Sequence, residues 1–157
     1  MSSHTAGETL KAAALALALV LLSLVLQINI DLNLTDEGYL WYGSIQTAAG
    51  HVPVRDFQSY DPGRYYWNAF WMLLFGDGII ALRLSVAIFQ VFGLTLGLLT
   101  VRRINRSWLL VTLSGLILLF WMIPRHKIFE SSLAMAAVWF AVRLMESPTV
   151  KRHFISG

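Results

Sequence analysis

Asn33-Leu34-Thr35-Asp36-Glu37-Gly38-Tyr39-Leu40-Trp41-Tyr42-Gly43 is the stretch on which the reading of this chain turns. It follows the first long apolar run and sets two adjacent carboxylates where a membrane helix would emerge into water. From there to Gly78 the chain is polar and aromatic, and only then does it turn apolar again. Long apolar runs around one substantial loop predict an all-α, polytopic membrane protein, with the hydrophobic segments holding the loop at one membrane face.

Composition agrees with that class. Of 157 residues 57% are hydrophobic and 13% charged, and the mean hydropathy is +0.62, beyond an ordinary soluble domain. The net charge of +3 does not point to nucleic acid, because the basic residues sit at the ends of apolar runs, where membrane topology accounts for them. The chain has no cysteine, which excludes a disulfide framework, thiolate chemistry and a cysteine metal site. No histidine pair has metal-ligand spacing, so no cofactor is expected and a dedicated divalent-metal site is unsupported.

Outward from the Asp36-Glu37 stretch, about four spans are expected in a single membrane domain. The first is 10–30. It ends in Gln27-Ile28-Asn29-Ile30-Asp31-Leu32 without a small-x-small cleavage site, which favours an uncleaved helix over a signal peptide. The loop 33–78 should hold two interfacial helices. One has Thr35 as N-cap, Asp36 and Glu37 in its first turn, Tyr39, Tyr42, Ile45, Ala48 and Ala49 on one face, and Gly50 as its stop. Its Tyr39, Trp41 and Tyr42 suit a headgroup layer. The other starts with Asp61 as cap and Pro62 at the first helical position, carries Tyr65, Tyr66, Trp67, Phe70, Trp71 and Leu74, and stops at Gly76-Asp77-Gly78. The second span is 79–101, with Arg83 about one turn inside it. The third, 107–123, is on the short side, the fourth is 128–145, and 146–157 is a tail.

Seven of the twelve Lys+Arg, namely Lys11, Arg102, Arg103, Arg106, Arg143, Lys151 and Arg152, would share one side, in short segments. Dense basic residues in short loops mark the cytoplasm. Both termini are therefore expected to be cytoplasmic in an inner or plasma membrane. The Asp36 loop and the Arg125-His126-Lys127 turn should be external.

That topology puts an acidic pair and a basic cluster on one membrane face, with Glu130 about one turn into the last span. Cations suit a phosphate, and a carboxylate can take a proton from an attacking hydroxyl. Structural readings remain open for each piece. Asp36 and Glu37 also read as first-turn acids stabilised by the helix dipole. Arg125, His126 and Lys127 read as a solvated turn, Glu130 as their ion-pair partner, and Arg83 as a snorkelling side chain.

In order along the chain stand Asp36-Glu37, then Gly50-His51-Val52-Pro53-Val54-Arg55-Asp56-Phe57, Asp61-Pro62-Gly63, Phe75-Gly76 and Ala81-Leu82-Arg83-Leu84, followed by Arg125 and Glu130. This order resembles the N-terminal part of GT-C membrane glycosyltransferases, in the protein O-mannosyltransferase and aminoarabinose-lipid A transferase branch. The likeness covers 10–145 and implies the N-terminal fragment of a longer enzyme. It also implies a polyprenyl-phosphate sugar as donor and a hydroxyl acceptor at the outer face, with an inverting, metal-independent displacement. By the same resemblance Asp36 is the general base, Glu37 and Glu130 complete the catalytic set, and Arg64, Arg83, Arg125, His126 and Lys127 bind the donor. Glu130 stands where relatives commonly have Asp, and Asp61-Pro62-Gly63 replaces a more usual Pro-Pro-apolar. The alternative from another class is a non-catalytic membrane module that binds a lipid phosphate or partner helices. A transporter piece fits less well, since there is no inverted repeat or broken helix pair.

Overall fold

The computed structural model describes residues 6–27, 33–123 and 127–146. Those residues form helices α1 (Ala6–Gln27), α2 (Glu37–Ala48), α3 (Pro62–Phe75), α4 (Ile79–Ile104), α5 (Trp108–Trp121) and α6 (Ile128–Glu146). The described residues contain no strand, only the isolated bridge Pro53–Phe57. Helices α1, α4 and α6 are long and apolar enough to cross a membrane, which makes this an all-helical membrane protein. Helix α5 is apolar but has 14 residues, a length of about 21 Å against a hydrocarbon core of about 30 Å.

The largest differences from the expected boundaries are at α1 and α4. Helix α1 begins at Ala6, ahead of the predicted 10, and carries Glu8 in its first turn, where the helix dipole favours an acid. Helix α4 runs on to Ile104 with Arg102 and Arg103 in its last turn, the favourable end for cations. The expected end of the first span, Ile28–Ile30, and the tail beyond Glu146 lie outside the described residues.

Two compact units divide the chain: Met1–Leu22 with Phe89–Gly157, and Ser23–Ile88. In the first, helices meet through small residues. A Cβ on Gly93 of α4 would stand 2.4 Å from Ser132 of α6, and one on Gly97 would stand 2.5 Å from the Met135 sulfur. A Cβ on Gly115 of α5 would lie 3.0 Å from both Leu19 and Leu98. Lipid tails are as apolar as leucine, so membrane helices associate by close packing of this kind rather than by escape from water. At one end of the unit Arg102 bonds Glu8 at 3.0 Å and lies 5.0 Å over the Trp108 ring. Arg103 pairs with Glu146 there. The starts of α1 and α5 are thus gathered with the ends of α4 and α6.

The second unit packs α2 against α3. Helix α2 buries Glu37, Leu40, Gly43, Ser44 and Thr47, and α3 buries Arg64, Tyr65, Asn68, Ala69 and Met72. Each set follows helical spacing, and each is largely polar or small. The large apolar side chains of α3 point the other way: Tyr66, Phe70, Leu73, Leu74 and Phe75 are exposed, Leu73 to 73%. Ser44 and Thr47 meet their polar needs within α2, donating to the carbonyls of Leu40 (2.7 Å) and Gly43 (2.8 Å). The inward face of α2 is not the one that carries Tyr42. Tyr42 is exposed and Leu40, Ser44 and Thr47 are inside, because Tyr65 of α3 needs a small residue opposite it. Gly43 fills that need, since a Cβ there would come within 2.4 Å of the Tyr65 ring.

Helix α2 ends as the sequence suggests, with Gly50 at φ 94 and His51 N–H donating to the Gln46 carbonyl at 3.0 Å. The connection to α3 is clamped by Asp56, whose carboxylate accepts from Val52 N–H at 2.8 Å while its own N–H donates to the Val52 carbonyl at 2.9 Å. The clamp holds Val54 in a left-handed conformation (φ 73) and delivers Phe57 edge-on to Tyr42 and Tyr65, centroids 6.2 and 5.7 Å away.

Gly43→Ala forces a methyl into the Tyr65 ring and should lower stability by about 1–3 kcal/mol, the usual cost of overpacking. Thermal unfolding in detergent micelles, repeated in a Tyr65→Leu background, checks this. The cost should shrink in that background, and an equal cost in both would show that the ring is not what the glycine accommodates.

Candidate functional site

The Asp36-Glu37 pair is presented by a turn that Asn33 organises. The Asn33 carbonyl accepts from the N–H groups of Glu37 (2.9 Å) and Gly38 (3.0 Å). Its side-chain Oδ1 accepts from Thr35 N–H (3.1 Å) and Asp36 N–H (3.3 Å), and its Nδ2 donates to Asp36 Oδ2 (3.1 Å). Thr35, expected as the N-cap, does not serve. Asp36 occupies the N-cap position without a side-chain cap bond, and the loop's donors are met three residues upstream. The physical reason is reach, since an asparagine side chain folds back on the next two or three N–H groups of a turn.

Glu37 begins α2 and turns inward. Both of its oxygens are taken by Arg83 from the first turns of α4, with Nε to Oε1 at 2.8 Å and Nη2 to Oε2 at 2.9 Å. Each residue is 5% exposed. This two-point geometry is particular to a guanidinium facing a carboxylate. A second polar tie joins α3 to α4: Ser85 Oγ donates to Asn68 Oδ1 at 2.6 Å, and Trp67 Nε1 donates to the Ser85 carbonyl at 2.9 Å. On the other side, Trp41 Nε1 donates to the Asp77 carbonyl at 2.6 Å and the Tyr39 hydroxyl to the Gln58 carbonyl. The polar ends of these two aromatics are thus engaged inside the unit.

Arg64 is buried on α3. It reaches Asp61 Oδ2 at 2.5 Å and lies 4.8 Å over the Tyr60 ring. Asp61, expected to cap α3, sits at the N-cap position with φ 49 and makes no cap bond, because its carboxylate goes to Arg64. Pro62 holds the first helical position as the sequence predicts.

Electrostatics narrows the choice of a proton acceptor. Burial pushes the Tyr65 hydroxyl up to about 12, so it stays protonated near neutrality. Arg55 bonds both oxygens of Asp56 at 2.7 and 2.8 Å. That side-chain bond, with the Val52 N–H, drives the Asp56 carboxyl far below its usual range, while Asp56 in turn raises Arg55. A carboxylate held so firmly ionised is a poor base. Glu37 is locked to a guanidinium. Asp36 stands partly exposed at the start of α2, with its position set by Asn33.

Of the site residues expected from the sequence, the structure brings Glu37 and Arg83 into contact and places Asp36 beside Glu37 in the chain. Arg64 lies in the same unit, on α3. Lys127 and Glu130 belong to the other unit, at the start of α6, and both are exposed. Arg125 and His126 lie outside the described residues. Sequence reasoning passed over Asn33, Asn68, Ser85 and Gly43. Their signals were present: an asparagine three positions before an acid, polar side chains inside apolar helices, and a glycine within a helix. Compared with family models, curated proteins and solved structures, the chain matches none.

The Glu37–Arg83 pair yields a direct expectation. Removing one partner leaves a buried charge uncompensated, so Glu37→Gln and Arg83→Met should each cost about 3–5 kcal/mol, and the double variant less than either. Chemical unfolding in mixed micelles measures it. Single variants within about 1 kcal/mol of the parent would mean that water reaches the pair.

Proposed function

We propose that this chain is the N-terminal membrane part of a GT-C-type glycosyltransferase that moves a sugar from a polyprenyl-phosphate donor to a hydroxyl acceptor at the outer membrane face. The observation that carries the reading is the Glu37–Arg83 ion pair. The motif order that resembles the family sets an acid pair before a juxtamembrane helix and an arginine early in the next span. In this fold those separated motifs have one joint purpose, to anchor the start of α2 and so the carboxylate of Asp36.

In the reaction, the acceptor oxygen attacks the anomeric carbon as its proton passes to Asp36. The bond from that carbon to the phosphate oxygen breaks, and its electron pair leaves with polyprenyl phosphate. The leaving group is already a stable anion, so acid assistance contributes little. Glu37 is the fixed neighbour that Arg83 neutralises, and a donor contact for Arg64, which is buried and paired with Asp61, rests on the family resemblance. Arg83 was expected as a donor contact; its Nε–Nη2 edge on Glu37 gives it a supporting role instead. Roles for Glu130, Arg125, His126 and Lys127 rest on the family resemblance alone.

The inverted polarity of α3 supports placing α2 and α3 at the membrane interface, since exposed Phe70, Leu73 and Leu74 are favourable against acyl chains and costly in water. With α5 as a fourth span, the Asp36 loop is external and both termini are cytoplasmic.

Two experiments test this reading. Cysteines replacing the exposed residues His51 and Ser107 should be labelled by an impermeant reagent from opposite membrane sides. Labelling from the same side overturns the four-span arrangement. The whole enzyme of which this chain is proposed to be the N-terminal membrane part, purified into nanodiscs, should bind a polyprenyl-phosphate sugar and transfer the sugar. Asp36→Asn should cut transfer by about 10²- to 10⁴-fold with donor binding unchanged. Turnover by Asp36→Asn equal to the parent would return Asp36 to a helix-start acid, and failure of the parent to bind donor would remove the enzyme reading.

A further inference from the structure

We propose that α5 and α6 are fitted to a hydrocarbon layer about 20 Å thick, thinner than the ordinary bilayer core of about 30 Å, and that they gather short-chain lipid around them. The proposal takes α5 as a span, as the topology above does, and does not depend on the chemistry at Asp36. The charges of α6 carry it. Glu130 lies in the first turn of α6 and Arg143 in its last, about 20 Å apart along the helix axis. Glu130 is exposed. Side chains on a helix lean toward its N-terminus, so Arg143 leans back toward the middle of α6. Its guanidinium lies 5.2 Å over the Trp139 ring, a turn nearer that middle. It does not reach outward to water, as a snorkelling arginine does. Glu130 leans the other way, but its side chain is short.

Helix α5 repeats the measure. Trp108 and Trp121 stand at its two ends, again about 20 Å apart, and tryptophan favours the headgroup layer. Helices α1 and α4 differ, since 22 and 26 residues give them about 33 and 39 Å, enough for a full core. Both short helices meet α4 at one level. A Cβ on Gly97 would lie 2.5 Å from Met135 Sδ of α6 and 3.0 Å from Leu118 of α5. Away from α4 they show Leu113 and Ile117 of α5 and Leu133 and Val138 of α6, all exposed. In a core of ordinary thickness, either Glu130 or the Arg143 guanidinium would lie among acyl chains. A charge in hydrocarbon is costly, whereas a bilayer thins at a modest cost for each ångström. Thinning, or recruitment of short chains that need none, is therefore the favoured response.

Reconstitution in phosphatidylcholine bilayers tests this without an activity assay. Quenching of tryptophan fluorescence by a brominated lipid, competed by dimyristoleoyl, dioleoyl or dierucoyl phosphatidylcholine, gives the relative affinity for each acyl chain. The protein should take dimyristoleoyl lipid about threefold more strongly than dierucoyl lipid. Glu130→Leu combined with Arg143→Leu lengthens the apolar face of α6 and should move the preference to dioleoyl lipid. Equal affinities in the parent, or a preference for dierucoyl lipid, would overturn the proposal and leave this face to partner helices. A parent preference that the double variant keeps would overturn it as well, because the two charges would then not set the thickness. If the double variant does not fold, the parent's preference alone decides. Cysteines replacing Ser107 and Lys127, both exposed, should be labelled by an impermeant reagent from opposite membrane sides. Labelling from one side removes α5 as a span, and the proposal with it. Opposite labelling without a chain-length preference removes the proposal and leaves the topology standing.

Discussion

Glu37 and Arg83 are 46 positions apart, and their side chains meet in a two-point ion pair closed off from water. Taking both charges out of solvent costs several kcal/mol for each ion, and only a partner with matched geometry offsets that cost. Helix α2 must therefore start where Arg83 of α4 can reach it, and α4 must be rotated to present that arginine. The Asn68–Ser85 bond imposes a similar condition between α3 and α4. With both met, the Asn33–Gly38 turn and the partly exposed Asp36 are held by α4 rather than left on a free loop.

The constraint also accounts for the polarity of the loop helices. Hydrophobic residues of a soluble amphipathic helix turn inward, whereas α2 and α3 enclose Glu37, Ser44, Thr47, Arg64 and Asn68 and leave Phe70, Leu73 and Leu74 outside. Polar groups away from water must bond one another, and here the Glu37 carboxylate, the Ser44 and Thr47 hydroxyls and Asn68 Oδ1 do so within and between helices. Close approach is part of the same design. Gly43 lets the Tyr65 ring come against α2, and Phe57, delivered by the Asp56 clamp, closes over both helices from the edge.

The unit formed by Met1–Leu22 and Phe89–Gly157 relies on different physics. Gly93, Gly97 and Gly115 allow neighbouring side chains onto the helix backbones, and dispersion at short range replaces the hydrophobic driving force. At one of its ends Arg102 and Arg103 meet Glu8 and Glu146. A glycine spacing of four along α4 is a readable sign of such packing.

By itself the sequence determined the helical class, the apolar segments at α1, α4 and α6, the two helices of the loop, and their stops at Gly50 and Gly76. All of these depend on hydropathy period, on Pro62, or on glycine's access to positive φ, which are local properties of the chain. It also drew attention to Asp36, Glu37 and Arg83, because ionisable residues at the edges of apolar runs are costly and conspicuous. The tertiary structure decided which of them meet. That Arg83 closes on Glu37 rather than snorkelling, that Arg64 takes Asp61 away from capping, and that Asn33 rather than Thr35 secures the turn all depend on distances between segments or on the path of a turn, which periodicity does not encode. The inward face of α2 was hidden for the same reason. Leu40, Gly43 and Thr47 are buried because Tyr65 stands opposite, and a helix's own pattern carries no record of the partner it will pack against.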